Sequence, residues 1–113
     1  MSFFFVWGGA MTEAQYQRKV VRTLKDLFPG CVVIKNDPSY QQGIPDWTIL
    51  FGSCWAMLEI KKALTSRRQP NQEYYVEQLN EMSFAAFICP ENEEAVLNEL
   101  QAAFASCGRA CVS

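Results

Sequence analysis

Behind Thr12 the apolar residues Ala14, Val20, Val21, Leu24, Leu27 and Phe28 recur at mostly helical spacing, until Pro29-Gly30 ends the run. This pattern predicts a first helix from about residue 13 to 28, with Thr12 as its N-cap. CVVIK reads as a strand, NDPSYQQGIP as a polar loop, and the segment GIPDWTILFGSCWAMLEIKK as two further strands meeting at Gly52-Ser53. QPNQEYYVEQLNEM predicts a helix with a proline in its first turn, FAAFIC a short buried strand, and ENEEAVLNELQAAFA a closing helix with acids at its N-terminal end. The element order is α-β-β-β-α-β-α, without an internal repeat or low-complexity tract.

The Gly-Ser connection is a two-residue hairpin signal, and with those residues as the loop, paired positions sum to 105. Phe51 then faces Cys54, Trp47 faces Leu58, and Asp46 faces Glu59. Opposed residues share a sheet face with Cβ atoms ~5 Å apart, and Lys61 shares that face with Glu59. Trp47, Ile49, Phe51, Cys54, Ala56, Leu58 and Ile60 fall on the other face, which is apolar and must pack on a helix.

Composition narrows the class. The chain has 113 residues, 50% hydrophobic and 19% charged, which suits one folded domain with one core. It has no histidine, so a histidine triad, a histidine general base and histidine-rich zinc ligation are excluded. Chemistry must run on carboxylates, lysine or cysteine. The five cysteines form no CxxC pair and several lie in apolar stretches, so they read as buried thiols of a reducing cytoplasm. Residues 1–70 hold nine Lys or Arg against five Asp or Glu, and residues 71–113 one against seven, so the net charge of −2 divides into +4 and −6.

Two acids opposed across a strand pair repel unless compensated, and Lys61 supplies one positive charge only. A divalent cation supplies the rest. Carboxylate oxygens suit Mg²⁺ or Mn²⁺, and Mg²⁺ takes one or two carboxylates, keeps waters and shares its shell with substrate phosphates. Such a site fits phosphodiester hydrolysis, with the lysine orienting the attacking water or steadying the developing charge. The residues alone leave open an ordinary hairpin whose polar ends are solvated.

Pro45-Asp46, followed after twelve residues by Glu59-Ile60-Lys61, resembles the signature of the PD-(D/E)xK nuclease superfamily, and the element order is similar to its core. The wider pattern resembles the VRR-NUC branch. Glu13 and Gln17 stand in the first helix, Gly43-Ile44-Pro45-Asp46 before the hairpin, Glu59-Ile60-Lys61 after it, and Gln72 opens the next helix. The resemblance spans about residues 12 to 105. It departs at Gln69, where the family often has a small hydroxyl residue, and at Ser83, where glycine is frequent.

The resemblance implies an α/β, restriction-endonuclease-like fold (α-β-β-β-α-β plus a C-terminal helix) with a mixed central sheet flanked by helices. It implies that Asp46 and Glu59 bind Mg²⁺ or Mn²⁺, with the Ile60 main-chain carbonyl as third ligand, and that Lys61 is catalytic. Glu13 would approach the metal through water, and Gln72 would act near the metal waters or a DNA phosphate. Read without the resemblance, Glu13 is an acid placed for the helix dipole and Gln72 a solvated helix start.

Basic residues extend the expectation to DNA. Arg18, Lys19, Arg22 and Lys25 crowd the first helix, while Lys62, Arg67 and Arg68 leave the strand that carries Glu59 and Lys61. Such groups contact phosphates without reading sequence, and the latter loop is the better candidate. The acidic half is expected to face away from DNA, and Tyr74 and Tyr75 to pack. The whole then reads as a metal-dependent DNA endonuclease of a bacterial host or phage, a homodimer acting on branched DNA such as a four-way junction, with no membrane partner. Alternatives are a mobile-element endonuclease or flap nuclease with another preference, and a nucleic-acid-binding module of the same fold without chemistry. Residues 1–11, too short to span a bilayer, stand apart from the 12–113 domain as an edge strand, partner-contact arm or leader.

Overall fold

Thr12 caps the first helix reciprocally: its hydroxyl accepts from the Gln15 N–H at 3.1 Å, and Gln15 Oε1 accepts from the Thr12 N–H at 2.9 Å. From that box runs α1 (Glu13–Leu27), followed by β1 (Val32–Lys35), β2 (Trp47–Phe51), β3 (Cys54–Ile60), α2 (Gln72–Met82), β4 (Phe84–Ile88) and α3 (Glu93–Val112). The computed structural model describes residues 11–112, with 109–112 described by backbone alone. The expected N-terminal arm therefore lies outside the described residues, except that Met11 packs against the core.

Among the described residues the four strands form one open mixed sheet in the order β1-β2-β3-β4, antiparallel except for the parallel pair β3-β4. The hairpin has the predicted register, with Trp47 opposite Leu58 and Phe51 opposite Cys54. Ile49, Ala56, Leu58 and Ile60 are fully buried under Tyr16, Val20 and Leu24 of α1 and under Leu97, Leu100 and Phe104 of α3. The apolar hairpin face thus packs on two helices. On the other side α2 packs on β3 and β4, while Val32, Ile34 and Leu50 of the β1-β2 half remain exposed.

Three details differ from the sequence expectation. The second helix starts at Gln72, after Pro70, because Asn71 takes a left-handed conformation that the helix cannot include. The closing helix continues past residue 105 to Val112, and Cys107 in this extension is disulfide-bonded to Cys54 of β3. The cysteines are therefore not all thiols; Cys31 and Cys89 are free, and burial raises the pKa of each. Among the described residues no helix is long and apolar enough to cross a membrane.

Candidate active site

The hairpin's open end continues one step beyond the last ladder pair, where the Asp46 backbone N–H donates to Glu59 Oε1 at 3.1 Å. Glu59 Oε2 lies 3.6 Å from Lys61 Nζ, which also donates to the Arg67 carbonyl at 3.2 Å. Glu59 is only 2% exposed. Burial first, and the neighbouring Asp46 carboxylate second, push its carboxyl up to about 7, although Lys61 pulls the other way.

These groups form the floor of a cleft of about 410 Å³, lined also by Glu13, Gly43, Gln69 and Gln72. All five side chains expected to carry chemistry, Glu13, Asp46, Glu59, Lys61 and Gln72, therefore meet in one cavity. Ile60 is different: its side chain is fully buried in the core, so only its main-chain carbonyl is available as a ligand. Gln72 is not a solvated helix start, since it is 5% exposed and its Oε1 accepts from the Gln69 N–H at 2.7 Å.

Two supports for this cleft make contacts that the sequence did not show. Asn36, which reads as the start of a polar loop, holds Pro45 and Asp46: its Nδ2 donates to the Pro45 carbonyl at 2.7 Å, and its N–H donates to the Asp46 carbonyl at 2.6 Å. Thr48 Oγ1 completes the clamp by donating to Asn36 Oδ1 at 3.0 Å. The other support is Gly43, at φ +91°, where an added Cβ would sit 2.6 Å from Asn71 Cβ and 2.9 Å from the Asn71 carbonyl carbon. This close approach seats the loop ahead of Asp46 against the start of α2 and brings Gln72 into the cavity.

The basic residues separate into groups. Lys19 is paired with Glu93 at 3.2 Å, and Glu93 also accepts from the Tyr16 hydroxyl at 2.8 Å. Arg68 is 3.6 Å from Glu73 and lies over the Phe87 ring at 3.8 Å. Both cations are exposed but have a carboxylate partner, whereas Lys62 and Arg67 are exposed and form no ion pair among the described residues. Of the acidic half, Glu73, Glu91 and Glu93 bond to residues of the basic half. Tyr74 and Tyr75 meet edge to face at 5.2 Å, and Tyr75 accepts from Gln41.

The donor set suits a hard divalent cation. Among the described residues no three His, Cys, Asp or Glu side chains converge closely enough to hold an ion unaided. Two carboxylates plus a carbonyl nevertheless match the protein's usual share of a Mg²⁺ or Mn²⁺ shell, completed by water and phosphate oxygens. Burial and the neighbouring Asp46 carboxylate both hold the Glu59 carboxyl above its ordinary range, and a bound cation would oppose both. No family model, curated protein or solved structure matches the chain.

Proposed function

We propose that this protein is a Mg²⁺- or Mn²⁺-dependent endonuclease of restriction-endonuclease-like fold that hydrolyses DNA phosphodiester bonds. The observation that carries this reading is the convergence of Glu13, Asp46, Glu59, Lys61 and Gln72 in one cleft around a buried acid. Asp46, Glu59 and the Ile60 carbonyl would hold the metal, which when bound polarises a phosphoryl oxygen and lowers the pKa of water. Lys61, anchored by Glu59 and the Arg67 carbonyl, presents an ammonium that steadies negative charge developing on the phosphate. Gln72 offers a carboxamide to a phosphate oxygen or water, and Glu13 accepts a hydrogen bond from water across the cleft. The resemblance to the VRR-NUC branch favours branched DNA as substrate and a homodimer, whose twofold axis would supply two sites for two cuts on opposing strands.

The test is cleavage of supercoiled plasmid and of a labelled four-way junction with Mg²⁺, with Mn²⁺ and with chelator. Metal-dependent cutting is expected, abolished by Asp46→Asn, Glu59→Gln or Lys61→Ala in proteins that remain folded. Wild-type rates in all three variants would overturn the assignment. DNA binding without any cutting would leave a binding module of the same fold.

A further inference from the structure

Beside the cleft runs a groove of about 530 Å³ between α1 and the sheet, walled by Arg18, Arg22, Lys25, Lys35 and Trp47. At 3.6 residues per turn, Arg18, Arg22 and Lys25 share one flank of α1, away from the buried Tyr16, Val20 and Leu24, while Lys19 lies roughly 100° round and is taken by Glu93. Lys35 comes from the end of β1, where its ammonium sits 4.9 Å over the Trp47 ring and donates to Gln17 Oε1 at 3.2 Å. The ion pairs among the described residues are Lys19–Glu93, Lys61–Glu59 and Arg68–Glu73, so all four groove cations are without a carboxylate partner. Trp47 Nε1, in the wall of this groove, is buried without an acceptor.

We propose that this groove is the phosphate-binding track that delivers a nucleic-acid strand to the cleft. Like charges at i, i+4 destabilise a helix, so Arg18 and Arg22 carry a cost that a bound polyanion removes. The groove offers exposed guanidinium and ammonium groups, and a sugar-phosphate backbone offers acceptors. Groove and cleft adjoin at two points: Glu13 and Gln17 are one turn apart on α1, and Asp46 and Trp47 are chain neighbours. From Arg18 to Lys25 the helix rises roughly 10 Å, at about 1.5 Å per residue. That length matches about three phosphates of one B-form strand, spaced ~3.4 Å along the axis. The choice of a nucleic acid over another polyanion rests on reading the cleft as a phosphodiester site. Lys35 and Trp47 thereby join the binding surface, and the Lys62–Arg68 loop becomes secondary to it.

The experiment measures binding of a fluorescein-labelled 30-base-pair duplex by anisotropy across a salt series in chelator, for the full chain. Replacing Arg18, Arg22, Lys25 and Lys35 by glutamine should lower the slope of log K against log salt by roughly 3 to 4 units, about 0.9 for each lost phosphate contact. Lys62→Gln with Arg67→Gln should change the slope by less than half of that. Should the fourfold variant not fold, Arg18→Gln with Arg22→Gln and Lys25→Gln with Lys35→Gln each take about half of the loss. An unchanged slope, a larger loss from the loop variant, or no duplex binding by wild type overturns the track. Hydrolysis of bis(p-nitrophenyl) phosphate with Mn²⁺, which needs no groove, is measured on the same proteins. Activity there with an unchanged slope leaves the nuclease reading standing without the track. Groove-dependent binding without hydrolysis of this ester or of DNA leaves the track standing without the nuclease.

Discussion

The Asp46 N–H donates to Glu59 Oε1 at 3.1 Å, so the two halves of the acidic motif are hydrogen-bonded to one another across the hairpin. One carboxylate is half-buried and the other almost wholly buried, and the fold retains this arrangement although nothing apolar is gained by it. Burial of an acid with so little compensation destabilises the protein, and the size of that effect is measurable.

Glu59 should make the metal-free protein less stable as pH rises. Its carboxyl titrates at about 7 when folded, against 4.5 for the ordinary value, so the folded state holds the proton more tightly than the unfolded state. The stability from this group is fully present below pH 4.5 and lost as pH rises through 7, a total on the order of 3 kcal/mol at 1.36 kcal/mol per pKa unit. In chelator, Glu59→Gln should remove this pH dependence and melt higher than wild type at pH 8, because glutamine still accepts from the Asp46 N–H. Adding Mg²⁺ should raise the melting temperature of wild type much more than that of the variant. Parallel stability-pH curves for the two proteins would show that Glu59 does not carry this strain.

The hairpin register, and with it the Asp46–Glu59 pairing, was legible because side chains alternate with period two and a Gly-Ser turn sets the count. The first helix was legible from Thr12 and its apolar spacing, and the core face from the alternation between Trp47 and Ile60. What stayed illegible depends on contacts distant in sequence. Nothing near Asn36 shows that it bonds Pro45, and nothing near Gly43 shows that Asn71 leans on it. The partner of Lys19 was equally hidden, since Glu93 becomes its neighbour only after α1 and α3 dock. Cys54 and Cys107 read as separate core thiols because a pairing 53 residues apart leaves no local pattern.

Asn36→Ala should loosen the site before it unfolds the protein. The substitution removes the side-chain bonds to Pro45 and Thr48 and leaves the main-chain bond to Asp46, at a cost of about 2 kcal/mol measured by denaturant titration. Asn36→Asp keeps an acceptor for Thr48 but cannot donate to Pro45, and should lose cleavage to a similar degree. Full activity in both variants would mean that Asp46 is positioned without this clamp.

The disulfide gives a covalent readout. Alkylation of the unreduced, denatured chain should leave Cys54 and Cys107 unmodified, as read by peptide mass spectrometry, while Cys31 and Cys89 react. Closing a loop of 53 residues corresponds to about 4 kcal/mol in the chain-entropy picture, so reduction should lower the melting temperature. Modification of both cysteines without reductant would show that they are thiols in solution.

Gly43 offers a test that separates backbone strain from loss of the site. Gly43 and Gly30 have similar left-handed φ angles, +91° and +88°, so alanine at either incurs about 1 to 2 kcal/mol of conformational strain. Only at Gly43 does the new Cβ collide, lying 2.6 Å from Asn71 Cβ, 2.9 Å from the Asn71 carbonyl carbon and 3.0 Å from the Pro70 carbonyl oxygen, whereas at Gly30 nothing lies within 4 Å. Two of these atoms are backbone and cannot rotate aside. Relief requires the start of α2 to move outward, and Gln72 is the next residue along, so its carboxamide leaves the cleft. Gly30→Ala should therefore lose stability and keep its cleavage rate, while Gly43→Ala should lose roughly 1 to 3 kcal/mol more and cut at least tenfold more slowly at a temperature where both are folded. Pairing Gly43→Ala with Gln72→Ala should add little to the loss of rate, because both act through one contact. Equal rates in the two glycine variants would show that the loop does not hold Gln72 for the chemistry.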